Sequence, residues 1–183
     1  MRQGALVVIS GFAGAGKGTL VKELMKRYDN YALSVSMTTR SPRPGEKEGE
    51  SYFFVTKEQF EKAIEEDGFI EYAQYVGNYY GTPRAYVEEQ MRSGKDVILE
   101  IEIQGAHKVK ALYPDAILIF VTPPSAQILK ERLTGRGTET AEVIKKRMDR
   151  AAQESEGIED YDYIAVNDDI ETQKKEPPPC PVR

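Results

Sequence analysis

Residues 5–20, ALVVISGFAGAGKGTL, decide the fold of this chain. The first six of them form a nearly continuous apolar run, which is typical of a strand buried on both faces. Four glycines follow within eight residues, and a G-x-x-x-x-G-K spacing runs from Gly11 to Lys17. In such a loop the backbone N–H groups surround a phosphate, and the lysine reaches the outer phosphates of a nucleoside triphosphate. The stretch therefore predicts a phosphate-binding loop, followed by a helix over residues 19–28 whose N-terminus faces the same anion.

The loop departs from the usual motif at one position. A Ser or Thr normally follows the lysine and contacts Mg²⁺ through its hydroxyl, whereas this chain has Gly18 there and Thr19 one residue later. We therefore expect a metal bound with the nucleotide to depend on other ligands. The alternative interpretation, a flexible glycine turn without a ligand, is disfavoured by the buried strand before the loop and the apolar helix pattern after it.

Composition and charge restrict the class of protein. The 183 residues include 30 acidic and 25 basic side chains, and the net charge of −5 argues against a dedicated binder of nucleic acid or anionic membranes. No apolar run approaches the roughly 18 residues of a membrane span, and we expect a cytoplasmic protein with no signal peptide. The only cysteine is Cys180 and the only histidine is His107, so nucleophilic catalysis of the Cys-His or Ser-His type is not expected.

Apolar strands alternate with helical patterns along the rest of the chain, which predicts an α/β protein with a parallel sheet. We expect sheet strands at 31–36, 97–103, 116–121 and 163–166, and helices at 105–112, 125–133 and 141–156. Residues 35–82 interrupt this alternation with short strands, a capping box at Thr56 and Gln59, and a Gly77-Asn78 hairpin turn, and so predict a small mixed β region. Thr82 is predicted to cap the next helix, which ends near Gly94.

Two groups of arginines mark candidate phosphate contacts outside the loop. Arg40 and Arg43 lie in an irregular segment where two guanidiniums can hold a phosphate, the alternative being a solvated basic turn. Four further arginines surround the glycine-flanked segment GRGTET and fit a mobile lid over transferring phosphates, the alternative being a surface helix with charge pairs. These four are Arg132, Arg136, Arg147 and Arg150.

Three glutamates lie within otherwise apolar predicted strands. Glu100 and Glu102 alternate along one of these strands and are expected to share a face near its carboxyl end, where ligands bind in parallel sheets. Glu71 lies in the small β region. A buried carboxylate without a partner is costly, so each is expected to meet a metal, an arginine or a ligand N–H, unless it simply faces solvent.

With these residues in place, the chain resembles the guanylate kinases over residues 4–169. The stretches that match in family order and spacing are GFAGAGKGT, SVSMTTRSPRPGE, GESYFF, FIEYAQYVGNYYGTP, LEIEIQGA, RLTGRGTET and VNDD. The resemblance implies a P-loop three-layer fold, with helices on both faces of the parallel sheet, that transfers the γ-phosphoryl of ATP to GMP with Mg²⁺. It also implies a core (1–34, 83–125 and 151–170), a GMP-binding region (35–82) and a lid (126–150) within one domain, 1–170, and a disordered tail, 171–183.

The resemblance further implies roles for individual residues. The implied ATP contacts are Gly11, Phe12, Ala13, Gly14, Ala15, Gly16, Lys17, Gly18, Thr19 and Asn167. The implied GMP contacts are Ser36, Arg40, Arg43, Tyr52, Glu71, Tyr80, Thr82 and Glu102. The implied catalytic residues are Lys17, Arg40, Arg132, Arg136 and Arg147, with Glu100 near the metal.

The chain departs from the family pattern at several of these positions. Phe12 and Ala13 stand where the family usually has Pro and Ser, and Glu100 and Glu102 stand where it often has Asp. Two other functions remain open from sequence: an inactive guanylate-kinase-like module that binds protein partners, and a related P-loop kinase with another phosphate acceptor. Acceptance of dGMP and the oligomeric state are also open.

Overall fold

A five-stranded parallel sheet forms the centre of the protein. The computed structural model describes residues 3–75, 77–135 and 140–168. In spatial order the strands are β2 (Tyr31–Leu33), β7 (Asp96–Glu100), β1 (Leu6–Gly11), β8 (Ile117–Thr122) and β9 (Tyr163–Val166). All four neighbouring pairs are parallel. Val8, Leu99 and Leu118 are at most 1% exposed, as expected for continuous apolar runs with both faces covered.

Helices connect these strands and bury one apolar stripe each in the main core. They are α1 (Lys17–Arg27), α3 (Arg84–Arg92), α4 (Ile103–Leu112), α5 (Ala126–Gly135) and α6 (Ala141–Glu154), with a 3₁₀ helix at Ser155–Asp160. Val21 of α1, Val109 of α4 and Leu133 of α5 are almost fully buried in that core. None of the helices in the described ranges is long and apolar enough to cross a bilayer. The predicted α/β architecture with a parallel sheet is confirmed.

A second, mixed sheet lies between β2 and α3 in the chain. In spatial order its strands are β4 (Phe53–Phe54), β3 (Met37–Thr38), β6 (Asn78–Pro83) and β5 (Phe69–Tyr75). Helix α2 (Lys57–Glu65) begins with the predicted capping box, in which Thr56 and Gln59 bond each other's backbone. Phe60 of α2 is fully buried and stacks on Phe69 at 4.3 Å and on Tyr79 at 5.1 Å. This aromatic stack gives the small sheet apolar packing outside the main core.

The prediction that Thr82 caps α3 is wrong. Thr82 lies in β6 opposite Glu71 of β5, and the N-cap residue is Pro83. The threonine hydroxyl donates to the Glu71 carboxylate, so it does not serve the helix N-terminus. Two helices also begin two residues earlier than predicted, since α1 begins at Lys17 rather than 19 and α4 at Ile103 rather than 105.

The prediction that Glu102 continues the strand of Glu100 is also wrong. Strand β7 ends at Glu100, and Glu102 is the N-cap residue of α4. The pairing of β7 with β1 stops at Ile9 and Glu100, and one residue further the Ser10 hydroxyl donates to the Ile101 carbonyl at 2.8 Å. The Ser10 side chain thus takes the place of a backbone hydrogen bond between β1 and β7, and the chain leaves the sheet and enters α4.

The strand order predicts that a ligand binds at the carboxyl ends of the strands of the main sheet. β1 lies between β7 on one side and β8 on the other, and crevices form at the carboxyl ends of strands on either side of such a switch point. The residues at these carboxyl ends are Gly11 of β1, Glu100 of β7, Thr122 of β8 and Asn167 directly after β9.

Candidate active site

The glycine-rich loop after β1 has the backbone that its sequence predicts. Gly14 and Gly16 have φ values of +93° and +90°, in the left-handed region that favours glycine. A Cβ on Gly16 would also lie 2.3 Å from the Asn167 side-chain nitrogen. Helix α1 begins directly after Gly16, so its N-terminus and partial positive charge face the loop. The arrangement suits an anion.

Lys17 holds its ammonium group over the loop. Its Nζ donates to the Gly11 carbonyl at 2.6 Å and to the Phe12 carbonyl at 3.1 Å. A pocket of about 270 Å³ opens beside it, lined by Gly14, Gly16, Lys17, Gly18, Thr19, Lys22 and Glu100. Sequence reasoning missed Lys22, although it lies four residues after Gly18 and therefore on the same helix face.

Two anchors fix the loop to the body of the protein. Phe12 is only 9% exposed and packs edge-on against Phe120 of β8, with ring centroids 5.0 Å apart. The Asn167 side chain donates to the Ala15 carbonyl at 2.7 Å, and its backbone N–H donates to Thr122 at 2.7 Å. Phe12, which departs from the family pattern, is therefore a core residue. Asn167 contacts the loop backbone directly.

Glu100 brings a carboxylate to the same pocket. Its oxygens lie 3.8 and 3.9 Å from the position that a Cβ on Gly18 would occupy. Although the residue is solvent-accessible, partial desolvation by the surrounding protein raises the pKa of the Glu100 carboxyl, while Lys17 and Lys22 act in the opposite direction. The missing side chain at Gly18 thus leaves space beside a carboxylate.

Arg40 forms the centre of a second basic site, in the small sheet. Its guanidinium donates to both oxygens of Glu46, at 2.8 and 2.9 Å, and lies 5.1 Å from the centre of the Tyr52 ring. Tyr80 packs against Tyr52 at 6.1 Å. Within the described residues, the Arg40 Nε is buried without a hydrogen-bond acceptor. An oxygen of a bound phosphate would satisfy it.

Glu46 is a partner that sequence reasoning missed. The hydrogen bond from Arg40, followed by the backbone N–H of Arg43, lowers the pKa of the Glu46 carboxyl to about 2. An acid six residues after Arg40 in the same loop was the available signal. The Arg43 side chain is exposed. The backbone carbonyl of Ser36 accepts the backbone N–H of Phe53 at 2.9 Å.

Glu71 of β5 and Thr82 of β6 form a polar pair in which Thr82 is buried and Glu71 is partly buried. The Thr82 hydroxyl donates to Glu71 Oε1 at 2.7 Å, while Glu71 Oε2 faces Gly105 of α4, whose Cβ position would lie 3.1 Å away. Burial raises the pKa of the Glu71 carboxyl, and Glu102 adds to this, whereas the Thr82 hydroxyl and Lys108 lower the pKa. The Glu102 carboxylate is therefore close enough to act on the charge of Glu71.

The arginines of the predicted lid have different partners. Arg150 of α6 donates to Glu102 Oε2 at 2.7 Å, and Arg132 of α5 donates to the Asp168 carbonyl at 2.7 Å. Arg147 lies partly buried on α6. Arg136 lies outside the described residues.

The parallel sheet, with a glycine-rich loop and a lysine at its carboxyl edge, defines a P-loop α/β protein. The family model described as guanylate kinase matches residues 3–176. The chain belongs to the guanylate kinase family. This confirms the resemblance predicted from sequence and, with it, the prediction of an enzyme with guanylate kinase activity.

Curated relatives and a solved structure agree with this assignment. The guanylate kinase of Clostridioides difficile is 52% identical over 96% of this chain and 86% of the relative. That of Halalkalibacterium halodurans is 54% identical over 92% and 83%. The crystal structure of guanylate kinase from Anaplasma phagocytophilum matches with a TM-score of 0.73 at 35% identity, over 95% of this chain and 82% of that one.

Proposed function

We propose that the protein transfers the γ-phosphoryl of ATP to GMP, giving ADP and GDP, as a step of purine nucleotide metabolism. The observation that carries the choice of acceptor is the Glu71–Thr82 pair, in which the buried threonine hydroxyl of β6 donates to a partly buried carboxylate on β5. Guanine presents two adjacent donors, N1–H and N2–H₂, beside the O6 acceptor. A carboxylate accepts from both donors, and the Ser36 hydroxyl would donate to O6, because the single Thr82 hydroxyl proton is already donated to Glu71.

The acceptor phosphate is assigned to the Arg40 site. Arg40, Arg43, Tyr52 and Tyr80 are the residues we propose to hold it, and the buried Nε of Arg40 supports this assignment. The phosphate monoester of GMP has a second pKa of about 6, so at neutral pH it is already an anionic nucleophile and needs no general base. This agrees with a site built from cations and backbone N–H groups.

The transfer itself requires positioning and neutralisation of charge. An oxygen of the GMP phosphate attacks the γ-phosphorus of ATP, and the bond from that phosphorus to the β,γ-bridging oxygen breaks, which leaves ADP. We assign the triphosphate to the glycine-rich loop and Lys17, with Arg132, Arg136 and Arg147 of the lid neutralising the charge that moves to the leaving group. Asn167 completes the proposed ATP site.

The residues of the pocket fit a Mg²⁺ ion bound together with ATP. No cluster of three or more acidic, His or Cys side chains suited to a metal occurs in the described parts of the chain. Mg²⁺ commonly needs only one or two carboxylates in addition to substrate phosphates and water, and Glu100 supplies one beside the open space at Gly18. Such an ion would lower the repulsion between the two anionic substrates.

The expected surroundings of the protein follow the same proposal. ATP and GMP are the proposed partners, and binding to nucleic acid is not expected at a net charge of −5. The cytoplasmic location and the division into core, GMP-binding region and lid remain predictions.

A coupled assay of ADP formation tests the proposed acceptor. The full chain is incubated with ATP and Mg²⁺ and each of GMP, dGMP, AMP, CMP and UMP. GMP is expected to have the highest kcat/KM, exceeding that of AMP by about 10⁴ or more, because AMP leaves a polar site unsatisfied. Absence of GMP-dependent ADP formation contradicts the proposal, and a faster non-guanine acceptor would identify a different P-loop kinase.

A further inference from the structure

An ion pair connects the lid helix to a residue of the proposed guanine site. Arg150 of α6 donates through Nη2 to Glu102 Oε2 at 2.7 Å, across 48 residues of chain. The same guanidinium donates through Nε to Glu154 at 2.9 Å, one turn further along α6. Glu154 thus holds the arginine in an orientation that reaches Glu102.

The Glu102 carboxylate does not cap its own helix by a hydrogen bond, although Glu102 is the N-cap residue of α4. The carboxylate instead accepts from Arg150 and raises the pKa of Glu71 through space. Glu71 Oε2 lies beside Gly105 in the first turn of α4, and Glu102 is the N-cap residue of that helix, so both carboxylates lie at the same end of α4.

The contact leaves one oxygen of Glu102 available to a ligand. In the described part of the protein, the hydrogen bond from Arg150 uses Oε2, so Oε1 can accept from a guanine N–H. A hydrogen bond from a guanidinium to one oxygen restricts the rotation of the carboxylate and so favours one direction for its second oxygen. Arg150 is well placed to set that direction without touching the substrate.

We propose that Arg150 is a positioning residue that orients Glu102 toward the guanine edge and so couples the lid helix to the identity of the bound base. This inference rests on the proposed function. GMP supplies donors that favour the oriented carboxylate, and linkage requires that the lid position with Arg150 on Glu102 favour GMP in return. AMP lacks these donors, so it gains nothing from the contact.

Removal of Arg150 is expected to affect the acceptor substrate alone. In Arg150→Ala, KM for GMP should rise about two- to fivefold, the range expected for an exposed ion pair. The values of kcat, KM for ATP and kcat/KM for AMP should be unchanged, so the preference for GMP over AMP falls by the same factor. Arg150→Lys retains the charge and should recover at least half of the loss on a logarithmic scale.

Matched variants separate this role from a general effect of charge. Lys145→Ala removes an exposed positive charge from the same helix, and its KM for GMP should equal that of the wild type. In a Glu102→Gln background, Arg150→Ala should have no further effect. Salt should raise KM for GMP in the wild type more than in Arg150→Ala, because ionic strength screens exposed pairs.

The results divide clearly between the two proposals. If the wild type forms no ADP with GMP, the proposed function fails. The role of Arg150 is refuted if the wild type is active but KM for GMP is the same in Arg150→Ala as in Lys145→Ala. It is also refuted if Arg150→Ala raises KM for GMP by the same factor in the Glu102→Gln background as in the wild type. If Arg150→Ala proves too unstable, Arg150→Gln and the salt dependence of the wild type decide the question.

Discussion

The two proposed substrate sites differ in the groups that form them. The ATP site is mostly backbone: a loop with two left-handed glycines, the start of α1, and anchors from Phe12 and Asn167. The GMP site is mostly side chains that already hold one another, as in the Arg40–Glu46 and Glu71–Thr82 pairs. A backbone site is fixed by the fold, whereas a side-chain site is fixed by local hydrogen bonds.

This difference separates affinity from selectivity. Backbone N–H groups and a lysine bind any triphosphate chain, since they contact no base. Carboxylates and hydroxyls in a fixed pattern distinguish one base from another, because a mismatch leaves a buried polar group unsatisfied. We therefore expect substitutions near the loop to change transfer, and substitutions in the small sheet to change the choice of acceptor.

The largest expected effect tests the backbone site. Lys17→Ala should lower kcat by at least about 10²-fold, as for the loss of one preorganised group that stabilises transferring charge, and GMP alone should still bind with unchanged Kd by calorimetry. The matched control is Lys26→Ala on the exposed side of the same helix, whose side chain is 75% exposed and pairs only loosely with Glu23. An equal loss of GMP affinity in Lys17→Ala would remove the distinction between the two sites.

The next effect concerns the guanine contact. Glu71→Ala should lose about 1.5–3 kcal/mol of transition-state binding for GMP, the usual value for a charged hydrogen bond, with a smaller loss for AMP. The exposed residue Glu65 provides the control variant Glu65→Ala. Steady-state kcat/KM for both nucleotides gives the answer. If kcat/KM fell by the same factor for GMP and AMP, Glu71 would be a structural residue and Glu102 would be left as the contact to the base.

A smaller effect is expected from the anchor of the phosphate loop. Asn167→Ala removes the hydrogen bond to the Ala15 carbonyl and should raise KM for ATP about three- to tenfold, the worth of one hydrogen bond. Asn167→Asp should raise KM for ATP by a larger factor, because an ionised carboxylate repels the Ala15 carbonyl. Binding of GMP alone should be the same in both variants, and a change there would show that the loop and the small sheet are not independent.

The smallest effect is a shift along the pH axis. In the proposed site, GMP binding requires the ionised form of Glu71, whose pKa is raised by burial and lowered by the Thr82 hydroxyl. Thr82→Val removes that hydroxyl, so the pKa rises further and the acid limb of GMP binding should move to higher pH than in the wild type. The ionisation of GMP itself is common to both proteins and cancels. An unmoved limb would indicate that another group controls the acid side.

The same pKa shift fixes the sign of an effect on stability. A carboxyl whose folded pKa lies above its unfolded pKa destabilises the folded protein once ionised, and this cost disappears as the pH falls below the unfolded value. Thr82→Val should therefore be less stable than the wild type mainly at neutral pH. The Arg40–Glu46 pair contributes stability that is lost as the pH falls through the lowered pKa of Glu46, at about 2, but this loss is common to both proteins and cancels in the comparison.

The parts of the molecule that sequence predicts well are those set by local patterns. The apolar run of β1, the left-handed glycines and the Thr56–Gln59 capping box each depend on residues a few positions apart. The errors arose where a distant residue competed for a group. The Ser10 hydroxyl donates to the Ile101 carbonyl, so β7 ends before Glu102, and the Thr82 hydroxyl donates to Glu71. No local pattern contains either partner.

The contacts that arrange the candidate site also lie beyond local patterns. Asn167 and Ala15 are 152 residues apart, and Arg150 and Glu102 are 48 apart. Family resemblance could assign Ala15, Asn167 and Glu102 to ligands but could not supply their partners within the protein. Such pairs depend on the packing of whole elements, which only the three-dimensional structure provides.

The burial of Phe12 has a consequence for local opening. Because its ring packs on Phe120, which in turn packs on Tyr161 at 5.2 Å, the phosphate loop belongs to the cooperative unit of the main core. Amide hydrogens in such a unit exchange with solvent only when the core itself opens. The small sheet packs mainly around its own aromatic stack at Phe60, with Ile70 of β5 also in the main core, and we expect it to open more readily than the main sheet. Deuterium should therefore enter β5 and β6 before it enters β1 and β8, and the loop should retain its shape while the guanine site exchanges.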